Sequence, residues 1–190
     1  MLMFRHKVPA GWIDHIRGNL DMVLVDHAHL ERKAASSAIM LGKYRQLWPR
    51  VSELNEIAIE ELQHFRIVLD MLKDRGIPFQ STSPSPWING LMKATRKGVQ
   101  GQVIDHLIVA SLIEGRSCEK FQILAEGIAD TEPELARFYG SLVESEGNHY
   151  AAYILMAREI NETEARERLD YFLDLEADLI AVPNPLPMLH

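Results

Sequence analysis

The tetrapeptide Glu61-Leu62-Gln63-His64 has an echo in Glu146-Gly147-Asn148-His149, and both sit in stretches whose apolar residues recur at helical spacing. On an α-helix a separation of three residues turns about 300° and rises about 4.5 Å, so the Glu and His of each tetrapeptide leave one face a turn apart. Each pair can offer two ligands to one metal ion. A chain built on two such pairs needs long helices to hold them and further carboxylates to complete the site.

The remaining periodicity supplies the helices. From Asn19 to about Leu47, Leu20, Leu24, Ala28, Ala35, Ala38 and Leu41 recur at spacings of three, four and seven. Pro49 marks a break or the first turn of a second helix, which carries Leu54, Ile57, Ala58, Phe65, Val68, Met71 and Leu72 and stops at Arg75 before Gly76 and Pro78. Residues 77–86 are rich in Pro and Ser and too long for a tight turn, so they cross a bundle or edge a site. A short helix from Trp87 to about Lys97 precedes Gly98 and Gly101, which interrupt it. The third long helix spans about Gln102 to Gly127, with Leu107, Ala110, Cys118, Phe121 and Leu124 on one face. The fourth starts at Pro133 and runs to about Ile160, with Leu135, Phe138, Tyr139, Leu142, Tyr150, Tyr153 and Ala157 as its stripe. Asn161-Glu-Thr-Glu164 caps a last helix ending near Ala181, and the Pro-rich tail from Val182 is not helical. No β-branched alternating run occurs, so the expectation is an all-α fold. One domain spans residues 1–190, with a bundle core at about 19–160.

Composition narrows the setting. Hydrophobic residues make up 47% and charged ones 25%, which is ordinary for a globular protein. Cys118 has no partner for an intrachain disulfide, which favours a reducing, cytoplasmic location. Residues 1–7 lack the apolar run and cleavage site of a signal peptide, and no stretch reaches the roughly 20 apolar residues that span a bilayer. The expectation is a soluble protein with no membrane partner. The net charge of −7 argues against broad attraction to nucleic acid, though it leaves room for a local basic patch.

Each long helix carries a carboxylate on the stripe that should be wholly apolar: Glu31, Glu61, Glu114 and Glu146. Glu31 shares its column with Leu24, Ala28, Ala35 and Ala38, and Glu114 lies seven residues from both Leu107 and Phe121. Buried carboxylates are costly unless paired or bound to a cation. The same test sets neighbours aside. Glu60 shares its face with Glu53, Glu56 and Gln63 and reads as solvated, Glu119 lies about 140° around from Glu114, and Glu144 points away from Glu146. What remains is a Glu on the first and third helices and a Glu-x-x-His on the second and fourth, the pattern of ferritin-like di-iron and di-manganese carboxylate bundles. The halves also match in offset: Glu31 precedes Glu61 by 30 residues and Glu114 precedes Glu146 by 32. Four carboxylates carry four negative charges, which two divalent cations neutralise. Oxygen ligands mixed with imidazole suit iron or manganese. His27, one turn before Glu31, is either a neighbour of the site or a core histidine. Asp26 and Asp105 are candidate acceptors for the histidines' other ring N–H. Cys118 and Tyr150 read as packing residues, and His6, His15, His106 and His190 carry no signal.

The blocks Asp26-His-Ala-His-Leu-Glu-Arg-Lys-Ala-Ala-Ser37, Glu60-Glu-Leu-Gln-His-Phe65, Ile113-Glu-Gly-Arg-Ser-Cys-Glu-Lys-Phe121 and Glu144-Ser-Glu-Gly-Asn-His-Tyr150 resemble the tRNA-(2-methylthio-N6-isopentenyl adenosine) hydroxylases over roughly residues 20 to 160. The resemblance implies a ferritin-like four-helix bundle with a long crossover connection and extra short and C-terminal helices. It implies an enzyme, an O2-dependent monooxygenase with two iron ions that hydroxylates the isopentenyl group of a modified adenosine in tRNA. Carried over by position, the metal ligands are Glu31, Glu61, His64, Glu114, Glu146 and His149, the set read from the stripes. Gly147-Asn148 departs from the Ala-Arg of that motif.

Such chemistry needs electrons from outside, because the chain has no flavin or nicotinamide fingerprint and too few cysteines for an iron–sulfur cluster. A separate reductase is therefore an expected partner, along with tRNA carrying a prenylated adenosine. Lys93, Arg96 and Lys97 are the first candidates for a basic tRNA patch; Arg5-His6-Lys7, Arg32-Lys33, Arg116 and Lys120 are further ones. Trp87 or Phe79 is a candidate to stack on a base. Competing readings are a ferritin-like iron-storage or peroxide-scavenging protein, a di-iron or di-manganese oxidoreductase acting on a small molecule, and a helical interaction module with a structural metal. Oligomeric state is left open.

Overall fold

The computed structural model describes residues 3–190, except for the side chains of residues 99 and 100. The signal-peptide reading falls partly on residues 1 and 2, outside the described residues. The elements are α1 (Trp12–Arg17), α2 (Leu20–Leu41), a 3-10 turn (Arg45–Arg50), α3 (Val51–Asp74), α4 (Pro86–Lys93), α5 (Val99–Gly127), α6 (Pro133–Ile160) and α7 (Glu162–Ile180). Among the described residues there is no strand, and no helix is long and apolar enough to cross a membrane.

α2 packs along α3, and α5 along α6; α7 lies across the second pair and carries α4 on its side. The resulting ferritin-like four-helix bundle has its long crossover in the connection from α3 to α5, which includes α4. Two apolar clusters fill it. One gathers Leu54, Ile57, Leu107, Tyr153 and Phe172, and the other Leu24, Val68, Phe121, Leu135 and Tyr139. Along every long helix the carboxylates Glu31, Glu61, Glu114 and Glu146 fall between the residues of these clusters, so a polar layer divides the core.

Several boundaries differ from the periodicity reading. The first long helix ends at Leu41, not Leu47. Gly42 donates to Ile39 O at 3.1 Å, Tyr44 turns extended at φ −80° and ψ 123°, and the 3-10 turn then folds Leu47 back into the core. α1 escaped the reading because it is short and buries a single residue, Ile16. α4 stops at Lys93 because the chain beyond it is drawn to Asp105, whose carboxylate accepts from the Arg96 backbone N–H at 2.8 Å. Gly98 breaks the chain, at φ 100°, a conformation that favours glycine, but Gly101 lies inside α5. A Cβ at Gly101 would meet the Arg96 guanidinium at 2.8 Å, so this glycine makes room for that arginine. The tail is non-helical, yet Met188, Leu189 and His190 are buried.

Candidate metal centre

The antiparallel arrangement brings Glu31 of α2, Glu61 and His64 of α3, Glu114 of α5, and Glu146 and His149 of α6 into one layer. Glu31, Glu61, His64 and Glu146 each offer a donor atom within 4.8 Å of the others, and so do Glu61, Glu114, Glu146 and His149. The two groups share Glu61 and Glu146. His64 Nδ1 lies 3.6 Å from Glu31 Oε2, 3.8 Å from Glu61 Oε2 and 3.9 Å from Glu146 Oε1, which leaves a gap between donors from three helices. His149 Nδ1 sits 2.7 Å from Glu61 Oε1, but the pair is misaligned for a hydrogen bond. Glu61 Oε1, His64 Nδ1, Glu146 Oε1 and His149 Nδ1 are all buried without a hydrogen-bond partner. Four orphaned lone-pair atoms converging in one layer are what a cation site requires and what a plain core cannot tolerate.

Electrostatics agree with the geometry. Burial, reinforced by Glu61, pushes the Glu114 carboxyl up to about 8, and burial with Glu114, Glu61 and Glu31 holds Glu146 well above the carboxylate range. Burial would lower His64 and His149, but contact with Glu31 and Glu61 raises the first to about 10, and Glu61 chiefly raises the second to about 9. Burial would also raise Glu31, yet His27, Glu61 and His64 outweigh it and hold this carboxyl below its usual range. Metal-free, the cluster must hold protons to limit carboxylate repulsion; divalent cations would take their place.

His27 does two things at once: its Nε2 hydrogen-bonds Glu31 Oε1, and its ring packs in an aromatic cage, 4.9 Å from Phe121 and 5.4 Å from Tyr139. Asp26 and Asp105 are not acceptors for His64 or His149. Asp26 accepts from Leu189 N at 2.9 Å, and Asp105 is held by Arg96 and Arg168, each at 2.8 Å. The acceptor for His149 is Glu60, whose Oε2 lies 2.7 Å from Nε2. Glu60 is exposed as its face indicated, and no sequence signal marks its reach to a helix 89 residues away. His190 was also missed: it is buried, hydrogen-bonded to Ser117 at 3.0 Å and stacked on Trp87 at 5.0 Å. Glu119 accepts from Val8 N at 3.1 Å, and Cys118 is half-buried and donates to Val143 O. At Gly147 an added Cβ would touch Cys118 Sγ at 3.8 Å, so nothing steric demands glycine there.

A cavity of about 230 Å³ runs from Lys33, Ser37 and Met92 to Glu31, Glu61, Glu114 and Glu146, between walls that include Leu30, Ile88, Ile113, Phe121 and Tyr153. Arg32, Lys33, Ser36 and Met40 continue its mouth as a shallow groove. Several basic candidates drop out. Arg116 and Lys120 are buried, Arg96 is bound to Asp105 and Glu164, and Arg5 pairs with Asp170 and Asp174. Arg32, Lys33, Lys93 and Lys97 remain exposed. Trp87 is buried and donates to Glu176, whereas Phe79 is 41% exposed and stacks on His29 at 4.5 Å.

A four-helix bundle with a buried layer of four carboxylates and two histidines places the protein in the ferritin-like class. The fold is similar to that of "Protein 43 with aldehyde deformylating oxygenase activity from Synechococcus", with a TM-score of 0.91 and 30% identity over 100% of this chain and 96% of that one. The family model for tRNA-(MS[2]IO[6]A)-hydroxylase (MiaE) matches residues 2–190, and the chain belongs to that family. Two relatives carry the name tRNA 2-(methylsulfanyl)-N(6)-isopentenyladenosine(37) hydroxylase. The one from Pseudomonas putida is 32% identical over 93% of this chain and 85% of its own length. The one from Salmonella typhimurium is 29% identical over 97% of this chain and 86% of its own.

Proposed function

We propose that this chain is a tRNA-modifying monooxygenase. On this reading it hydroxylates the isopentenyl group of 2-methylthio-N6-isopentenyl adenosine, using two iron ions held by Glu31, Glu61, His64, Glu114, Glu146 and His149. The observation that carries the reading is an apolar cavity that ends on the four carboxylates of a six-residue donor layer, in a chain whose family and named relatives are hydroxylases of this nucleoside. Glu31 and His64 would belong to one position and Glu114 and His149 to the other, with Glu61 and Glu146 common to both donor groups. When bound, the metal pair supplies the O2-dependent oxidising power that an unactivated C–H bond requires.

The chain's own residues then admit the right group and keep water away. A cavity of ~150 Å³ accepts benzene, so the present one has room for a five-carbon prenyl chain, and its Leu, Ile and Phe walls match that chain's chemistry. Arg32 and Lys33 stand where tRNA phosphates would pass, and Phe79 is available for stacking. The protein works in the cytoplasm, and its electrons come from a separate reductase, because no second redox centre is encoded.

The test uses protein reconstituted with ferrous iron, O2, a reductant and tRNA bearing the prenylated adenosine, followed by nucleoside analysis. One added oxygen on that nucleoside is expected, lost in Glu114→Ala. An aldehyde, the substrate class in the structural relative's name, serves as comparison. No oxygen in the tRNA from fully loaded protein would overturn the assignment, and turnover of the aldehyde alone would replace it with small-molecule chemistry.

A further inference from the structure

We infer that Glu60, outside the six donors, is a positioning residue for His149 that makes one metal position tighter than the other. The inference rests on reading those donors as metal ligands. An imidazole has two ring nitrogens, and the protonation of one decides what the other can do. His149 Nε2 lies 2.7 Å from Glu60 Oε2, an anion that can only accept, so the proton belongs on Nε2. In the neutral ring Nδ1 then keeps its lone pair, and this is the atom that faces Glu61 Oε1 inside the layer without a hydrogen bond.

The contact crosses from α3 to α6, so it also fixes the ring's direction relative to Glu61 on the same turn as Glu60. Glu60 holds it from the surface: its side chain is 53% exposed, while that of His149 is 3% exposed. His64, which faces the other donor group through Nδ1, has no comparable carboxylate on its second nitrogen among the described residues. The two halves of a nearly repeated site therefore differ in how their histidines are held. Losing such a partner typically weakens metal binding by about 10- to 100-fold.

The test titrates Co²⁺ alone into metal-free full-length protein and its Glu60→Ala, Glu60→Gln and Glu56→Ala variants. Wild type and Glu56→Ala are expected to bind two ions with the same pair of affinities, one tighter than the other. In Glu60→Ala one of the two should loosen by about 10-fold or more while the other holds. Glu60→Gln, whose amide oxygen still accepts from Nε2, should recover part of the loss. Proton NMR of the Co²⁺-loaded protein provides a readout that general loosening would not give: a hyperfine-shifted, exchangeable His149 ring N–H, present in wild type and Glu60→Gln and lost to solvent exchange in Glu60→Ala. Metal-free wild type and Glu60→Ala should both unfold in one cooperative transition, so that the weaker binding is not a failure to fold. Two ions bound as tightly in Glu60→Ala, with the signal retained, would overturn the role of Glu60. Wild type that binds no ion would overturn both this inference and the ligand reading. Protein that binds two ions but leaves tRNA unmodified would overturn only the proposed reaction.

Discussion

Lys120 projects from α5 between two indoles, its ammonium 5.2 Å from the Trp12 ring and 6.0 Å from that of Trp87, and donates to the Leu189 carbonyl. Burial, with repulsion from Arg116 added, brings its pKa from 10.5 down to about 7. Between those values the unfolded chain binds a proton that the folded chain does not, so stability rises with pH across the window. The slope is about 1.4 kcal/mol per pH unit. Lys120→Met removes this dependence. The difference in urea unfolding free energy between wild type and variant should be flat below about pH 7, climb in favour of wild type up to about 10.5, and level off there. Measuring the difference cancels the carboxylates and histidines that titrate in the same range. Parallel profiles would mean that Lys120 stays charged in the folded protein. In sequence this lysine reads as a solvated cation, because nothing local announces that residues 188–190 will cover it.

α5 and α7 are joined by an ion pair that the helical pattern of either alone does not reveal. Arg116 and Glu176 are both fully buried; Nε and Nη2 of the arginine reach the two carboxylate oxygens at 2.8 and 2.7 Å. The guanidinium also donates to His6 O at 2.8 Å and lies 3.8 Å over the Phe4 ring, and Glu176 accepts from Trp87 Nε1 at 3.1 Å. One pair thus ties α5 to α7, to α4 and to the N-terminal segment. Glu176→Ala leaves a buried guanidinium short of its main counter-ion and should cost about 3–5 kcal/mol, read from urea unfolding. The apolar double variant Arg116→Met/Glu176→Met should recover most of that loss. A single-variant loss below about 1 kcal/mol, the scale of an exposed pair, would show that water reaches the guanidinium. The apolar stripe of α5 marks Glu114 as inward and leaves Arg116 outside, which holds for the four-helix bundle; α7 then packs on that outer side and buries it.

For the whole molecule, the net charge of −7 must be reconciled with the polyanionic substrate proposed for it. Arg32 and Lys33 rim the cavity, with exposed Lys93 and Lys97 on and beyond α4. Reversing Arg32 and Lys33 to Glu should weaken tRNA binding and make its dependence on salt shallower, by about one unit of log–log slope for each phosphate that the variant no longer neutralises. Affinity measured across a salt series checks this, and an unchanged slope would move the tRNA to another face. Arg96 is unsuitable for the same test. Its side chain is committed to Asp105, Glu164 and the Gly101 carbonyl, so reversing it would damage the α4–α5 connection before it reported on tRNA.

Helical spacing by itself selected Glu31, Glu61, His64, Glu114, Glu146 and His149 as the side chains that converge, because backbone geometry alone decides which residues share a helix face. It also determined the all-α fold and most helix extents, since apolar stripes must be buried wherever they occur. Its errors lie where distant segments meet. The Glu60–His149 bond spans 89 residues and the Leu189–Asp26 bond 163, and neither leaves a periodic trace. Tertiary packing alone made a solvated-looking glutamate the acceptor for His149, turned two apparent surface cations into buried ones, and drew the tail into the core. Burial and hydrogen bonding depend on what covers a face, and that is settled only when the helices assemble.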